Sequence, residues 1–269
     1  MNKNLIPFFS LLIILISCSN AKNDLRKDNL FGKVKFVKEV QYYALEKFGV
    51  VEGDLVMHTW ESKYDEKGNL TQLCSSDGER TEYNSDEKGN QIGITYNTAS
   101  AVLPPLPVKG EKRNQIGITY NSKHNIKRKL VIKSDLNGNR IETNLFDGNN
   151  NLLSKDKNEL DENGKVIKSK RYNSYGNLEE ITEYKYDKNG NCTDKISTNN
   201  TGVIFQKYEE QRYDKLNNIM HSDWTIPSIG TFHNEYIYEF DKNNNWIKQI
   251  TYIDQKPSYV DKREIQYWN

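Results

Sequence analysis

The reading of the fold turns on Tyr184-Lys185-Tyr186-Asp187-Lys188-Asn189-Gly190-Asn191. An aromatic residue is followed by Asp, two polar residues, Gly and Asn, and then by a short run with strand character. The same signal stands at Asp65 with Gly68, Asp86 with Gly89, Asp135 with Gly138 and Asp161 with Gly164, and in looser form at Asp214 and Asp241. Intervening turns begin at Asp147, Asn173, Asn200, Pro227 and Asp254, so one unit is 12 to 14 residues long. That is too short for a helix-containing repeat, but it holds one strand and one turn. Two units make a hairpin, and successive turns fall on opposite rims of a sheet. The spacing predicts an all-β chain: a long antiparallel meander of repeated β-hairpins.

The turn chemistry fits that reading. Asp or Asn at the first position accepts hydrogen bonds from amides inside the turn, and Gly at the fourth supplies a positive φ. Where Gly is missing, Asn217-Asn218 and Asn243-Asn244-Asn245 occupy the turn, and Asn tolerates the left-handed region. Side-chain parity puts Tyr184 and Tyr186 on one face, with Tyr236, Tyr238 and Phe240, then Trp246, Ile250 and Tyr252, and last Ile265 and Tyr267. The opposite face carries Glu183, Lys185, Glu239 and Gln249. A flat sheet would leave its aromatic face in water, so the meander is expected to coil or fold over on that face. Asn90 to Asn97 reappears nearly verbatim as Asn114 to Asn121, consistent with duplication of a hairpin. A Pro-rich loop at 99–110 separates the copies and, with a longer loop expected at 222–234, breaks the beat.

The amino terminus supplies an address. Lys3 precedes an apolar run from Leu5 to Ile16, shorter than the roughly 20 residues of a membrane span. Leu15-Ile16-Ser17-Cys18 resembles a bacterial lipobox, which implies a signal peptide at 1–17 and lipidation of Cys18. Residues 18–29 then read as the lipidated Cys and a polar tether, and residues 30–269 as the repeat domain. By the same resemblance, Ser19 after the Cys favours the outer membrane, facing either side. The net charge of +1 gives no gross bias toward nucleic acid. An exported setting permits a bridge between Cys74 and Cys192 as readily as two free thiols.

Tyr64-Asp65-Glu66-Lys67-Gly68-Asn69 and Tyr186-Asp187-Lys188-Asn189-Gly190-Asn191 resemble the YD, or Rhs-type, repeat, with degenerate copies at Phe146-Asp147, Tyr172-Asn173, Tyr213-Asp214 and Phe240-Asp241. The chain so resembles the small YD-repeat lipoproteins of Bacteroidetes-type bacteria. That resemblance implies curled hairpin strips in the cell envelope.

No catalytic, cofactor or metal motif emerges. His58, His124, His221 and His233 lack zinc-site spacing, and His221-Ser222-Asp223-Trp224 is read as ordinary turn and strand polarity. One carboxylate per Asp-x-x-Gly turn is too few for calcium. The expectation is a non-enzymatic, lipid-anchored envelope or surface protein with a structural or binding role toward an envelope protein or glycan. The alternatives are an envelope-glycan hydrolase using Glu209 and Glu210 or Glu179 and Glu180, and an accessory or immunity partner in a polymorphic-toxin system.

Overall fold

Every strand pairs with its neighbour in the chain, and the last pairs with the first. The computed structural model describes residues 24–85, 91–97, 115–120 and 125–269. Among these a short helical turn, α1 (Asp24–Lys27), precedes seventeen strands. They are β1 (Val34–Lys47), β2 (Val50–Tyr64), β3 (Leu70–Ser75), β4 (Glu79–Ser85), β5 (Gln91–Asn97) and β6 (Gln115–Tyr120). Then come β7 (Ile126–Ser134), β8 (Arg140–Asp147), β9 (Leu152–Leu160), β10 (Val166–Asn173), β11 (Leu178–Tyr186) and β12 (Cys192–Asn199). The last are β13 (Ile204–Tyr213), β14 (Ile219–Ile226), β15 (Gly230–Phe240), β16 (Trp246–Ile253) and β17 (Lys256–Tyr267).

The chain is all-β, but the open meander expected from the sequence is corrected. β1 pairs with β17 from Val34↔Tyr267 to Tyr43↔Tyr259, so the sheet is one closed barrel and does not coil or fold over on a free face. An open sheet keeps two rows of unpaired backbone groups at its edges, and closure satisfies both. A second correction falls on the duplicated segment. β5 and β6 run parallel and in register, Ile92↔Ile116 through Thr95↔Thr119, where a hairpin was expected. A parallel return needs a crossover of a dozen or more residues, and the chain between the two strands is long enough to supply it. Identical residues then stack in register, and Ile92, Ile94, Ile116, Ile118 and Tyr120 form one buried cluster. The Pro-rich 99–110 stretch lies outside the described residues.

The long loop expected at 222–234 is also corrected. It is a hairpin, β14 with β15, closed at Ile226↔Gly230.

One face of the wall is shielded and the other is wet. Thr182, Ser197, Ser222 and Thr251 are buried, whereas Glu183, Ile237 and Glu239, one residue out of phase, are exposed. The shielded face is the inner one, because the N-terminal segment seats on it. Leu25 and Leu30 pack with Val34, Val37 and Tyr64, against Leu70, Ile265 and Tyr267. Residues 24–29, read from sequence as part of a tether, are thus docked. The Leu25 amide donates to the Gly68 carbonyl, and the Leu70 amide to Asp24 Oδ2. Asn29 Nδ2 donates to the Leu216 carbonyl (2.8 Å) and Asn218 Oδ1 (2.9 Å). The Phe31 amide and carbonyl both bond the Asn245 side chain. These turns follow β2, β13 and β15, so the segment bridges one rim across β14 to β17, β1 and β2.

The parity reading fails in β16. A register shift between Glu239 and Phe240 leaves Trp246 opposite Phe240 but moves Lys248 opposite Glu239. From there Gln249 and Thr251 face inward and Ile250 and Tyr252 outward, the reverse of strict alternation from Trp246.

Candidate functional site

The rim turns share one geometry. In the turn at Asp187, the Asp187 amide donates to the Asn191 carbonyl and the Gly190 amide to the Asp187 carbonyl. Asp187 Oδ1 accepts the amides of Asn189 (2.8 Å) and Asn191 (2.9 Å), and Asn191 Nδ2 donates to Oδ2 (3.1 Å). Asp65 and Asp135 repeat every one of these bonds, and Asp161 repeats the amide bonds, with Gly68, Gly138 and Gly164 at positive φ. At Asp214 and Asp241 the fourth residue is Asn217 (φ 63°) or Asn244 (φ 66°). The Asn139 side chain, above all, holds the Asp135 carboxyl below its usual range. In each of these turns Oδ1 accepts two amides of its own turn, whereas at Asp241 Oδ2 takes the Tyr267 hydroxyl. Asp86, Gly89 and Cys18 lie outside the described residues.

Inside the barrel the tyrosines latch alternate strands. Tyr186 Oη donates to the Val166 carbonyl (2.7 Å), Tyr213 to Cys192 (2.8 Å) and Tyr238 to Ile219 (2.8 Å). Each reaches the first residue of the preceding strand, and Tyr267 closes the series on the Asp241 carboxylate and Asn245. Burial pushes Tyr64, Tyr213 and Tyr238 far above the ordinary phenol range and Tyr184 up to about 12.

The inner wall is also charged. Arg263 Nε donates to Glu39 Oε2 (2.7 Å), and its guanidinium lies 3.4 Å from the centre of the Trp246 ring. Beside them burial, reinforced by Glu39 and opposed by Gln41 and Arg263, raises the Asp261 carboxyl to about 7. Farther round, Arg171 pairs with Asp156 (2.9 Å) and Glu180 (3.2 Å).

The outer wall carries rows of alternating charge. Lys168–Glu183 (2.8 Å), Lys170–Glu159 (2.7 Å), Lys133–Glu142 (2.9 Å) and Lys248–Glu239 (2.9 Å) are cross-strand pairs within the strands. Also on this face, Asp223 Oδ1 meets His233 Nδ1 (2.8 Å) and His221 Nε2 (3.1 Å). Glu210, His221 and Asp223 place ligand atoms within 4.8 Å of one another, the one group among the described residues able to hold a metal ion.

No family model and no curated protein matches the sequence. In fold the chain is similar to solved structures. One is a porin-like protein from Bacteroides vulgatus, with 9% identity and a TM-score of 0.43 over 87% of this chain and 98% of that one. Another is a porin-like protein from Bacteroides uniformis, with 7% identity and a TM-score of 0.37 over 87% and 96%. A TcdB2-TccC3-TEV structure matches over 83% of this chain and 11% of its own, at 12% identity and a TM-score of 0.28. The protein is a closed β-barrel.

These findings correct the YD-repeat assignment. The Asp-x-x-Gly signal marks rim turns of one closed barrel, in which β1 and β17 join the ends that a curled hairpin strip would leave apart. A turn motif reports the local bonds that closing a hairpin demands, and a barrel demands them as much as a strip does.

Of the carboxylates read as hydrolase candidates, Glu180 is held by Arg171 on the inner wall and Glu209 by Lys207 on the outer wall, while Glu210 stands beside His221 and Asp223. Cys74 and Cys192 are free, and burial pushes the Cys192 thiol up to about 11. Two shallow clefts are lined by Lys33, Lys35, Glu66 and the C-terminal Tyr267 to Asn269, and by Asn173, Asn177 to Glu179 and Asn200. Neither gathers histidines or several carboxylates. The sequence did carry one missed signal: His221 and Asp223 alternate on one face, and a short turn places His233 opposite Asp223.

Proposed function

We propose that the protein is a lipid-anchored, non-enzymatic barrel of the outer membrane that stands in water and serves a structural or binding role in the envelope. The observation that carries this reading is the charge on the outer wall. Lys or Arg facing lipid at the bilayer midplane costs about 2–4 kcal/mol each. Here Lys157 and Lys170 are neighbours in one cross-strand row, and Glu159, Lys168 and Glu183 form the next. A membrane-spanning barrel would present a continuous apolar band at that height. The barrel therefore needs a tether to stay at a membrane, and Cys18 at the lipobox-like Leu15-Ile16-Ser17-Cys18 supplies it. Two or more acyl chains, at about 0.8 kcal/mol per buried CH2, hold such a domain stably. The non-enzymatic part is supported by Glu180 and Glu209, each held by a cation, and by the turn aspartates, whose Oδ1 atoms accept amides of their own turns.

The test exchanges residues 1–17 for an ordinary cleavable export signal and replaces Cys18 by Ser. The barrel should then be recovered folded in the detergent-free soluble fraction, while the native chain stays with membranes and incorporates labelled palmitate. Retention of the unlipidated barrel in washed membranes would overturn the reading.

A further inference from the structure

We propose that Glu210, His221, Asp223 and His233 form a binding site for a first-row divalent metal ion, zinc above all, on the outer wall across β13, β14 and β15. Three groups of suitable type, Glu210, His221 and Asp223, converge there, and His233 joins them through Asp223, so that two imidazoles and two carboxylates are on hand. His221 Nε2 and His233 Nδ1 both sit on Asp223 Oδ1, at 3.1 and 2.8 Å. Ligands bound at about 2.0–2.1 Å around a tetrahedral ion stand about 3.4 Å apart. Side-chain rotation, largest for Glu210 and His233, would bring the four groups to that spacing. Glu210 completes the set, within 4.8 Å of both His221 and Asp223.

The backbone is bent to bring Glu210 there. The register between β13 and β14 jumps from Glu209↔Asp223 to Arg212↔His221, one residue more on β13 than on β14. Glu210 takes the bulge with φ 52°, the only non-glycine within a strand, among the described residues, at positive φ. Bulges re-aim a side chain, and a strand glutamate in the left-handed region is uncommon. The outcome sets a second carboxylate beside Asp223, an arrangement that repels itself unless a cation lies between. A divalent ion offsets both carboxylates and gives the imidazoles a lone-pair acceptor. The donor set, two nitrogens and two oxygens, suits zinc, nickel or copper and is a poor match to the all-oxygen preference of calcium and magnesium. His233 and Glu210 are the exposed members, which leaves that side of the ion open to solvent or to a donor from another molecule.

Isothermal titration of the mature protein, stripped with chelator and assayed near pH 7.5, tests the site with zinc chloride, and with calcium and magnesium chloride as controls. The expected result is one saturable zinc site per chain and none for calcium or magnesium. His221→Ala and Asp223→Asn should each weaken zinc binding at least tenfold. Glu210→Gln, in an exposed bulge, tests the set without threatening the fold, and His58→Ala, elsewhere on the barrel, should bind as the parent does. Circular dichroism checks that each variant is folded. Absence of a saturable zinc site, or equal affinity in the parent, Glu210→Gln and Asp223→Asn, would overturn the proposal and leave the cluster a hydrogen-bonded His-Asp-His group only.

Discussion

Replacing Asp261 by Asn should stabilise the barrel at pH 8 and do so by less than half as much at pH 5. Asp261 is 5% exposed on the inner wall, between Gln249 of β16 and Gln41 of β1. Burial first, then the nearby Glu39, raises its carboxyl from 3.8 to about 7, despite Gln41 and Arg263. Below pH 3.8 the group is protonated in both folded and unfolded chains and costs nothing. Between there and pH 7 the folded chain holds a proton that the unfolded chain has released, so stability falls as pH rises. Above pH 7 the full penalty applies. The gap from 3.8 to about 7 corresponds to about 4 kcal/mol, an upper bound because Arg263 can reorient toward the charge. Asn keeps the shape and the hydrogen-bonding capacity without the titration. Urea unfolding at pH 5, 6.5 and 8, followed by tryptophan fluorescence, gives the midpoints. The parent should lose stability between pH 5 and pH 8, and the variant should not show that loss. An Asp261→Asn chain with the same decline as the parent, or less stable than it at pH 8, would refute the reasoning.

The turns and tyrosines give further expectations. Gly138 has φ 90° and open space around its Cα, so Gly138→Ala should cost about 1–2 kcal/mol of backbone strain alone, measurable as a lowered urea midpoint. Asp135→Ala removes two amide bonds and one from Asn139 and should cost about 1–2 kcal/mol. Because the Asn139 side chain holds Asp135 below its ordinary range, and Asn151 does the same for Asp147, their contribution is present above the unfolded pKa near 4. It is lost as pH falls through the depressed folded values, and a pH 2 to 5 stability profile should show a decline that Asp135→Asn and Asp147→Asn reduce. Spectrophotometric titration should find Tyr64, Tyr213 and Tyr238 silent to pH 11 and released together only on alkaline unfolding.

Much of the wall was legible in the sequence because local bonds write it. The Asp187 turn needs an acceptor at its first position, a positive φ at its fourth and a donor at its fifth, and Asp, Gly and Asn supply them within five residues. Closure was not legible. The pairing of Val37 with Ile265 depends on the sum of many small strand twists, and no residue near either end encodes it. The parallel pair was hidden for a related reason, since identical segments satisfy either direction and only the length of the intervening chain distinguishes them. The side-chain parity in β16 was lost at a single extra residue after Trp246. The histidine cluster was invisible to linear spacing because its members meet across a hairpin and a bulge, where the relevant periodicity is reflection about the turn.

The same geometry orients the molecule. The turns at Asp65, Asp135, Asp161, Asp187, Asp214 and Asp241 share one rim, since each follows a strand of the same direction. The N-terminal segment is fixed to that rim through Gly68, Asn218 and Asn245. Six residues from the proposed acylated Cys18 to Asp24 reach at most about 20 Å when fully extended. In the lipid-anchored reading proposed above, the aspartate rim faces the membrane surface at close range and the opposite rim faces away. That far rim carries the β1–β2 hairpin, which overhangs its neighbours and exposes Phe48, Val50 and Leu55. An apolar tip held away from the anchoring bilayer cannot be explained as a second insertion into that bilayer. In the same reading the charged wall between the rims, with the Glu210, His221, Asp223 and His233 cluster upon it, meets water along the height of the barrel. In the reading proposed above, a lipid anchor and not the barrel wall holds the protein at the membrane.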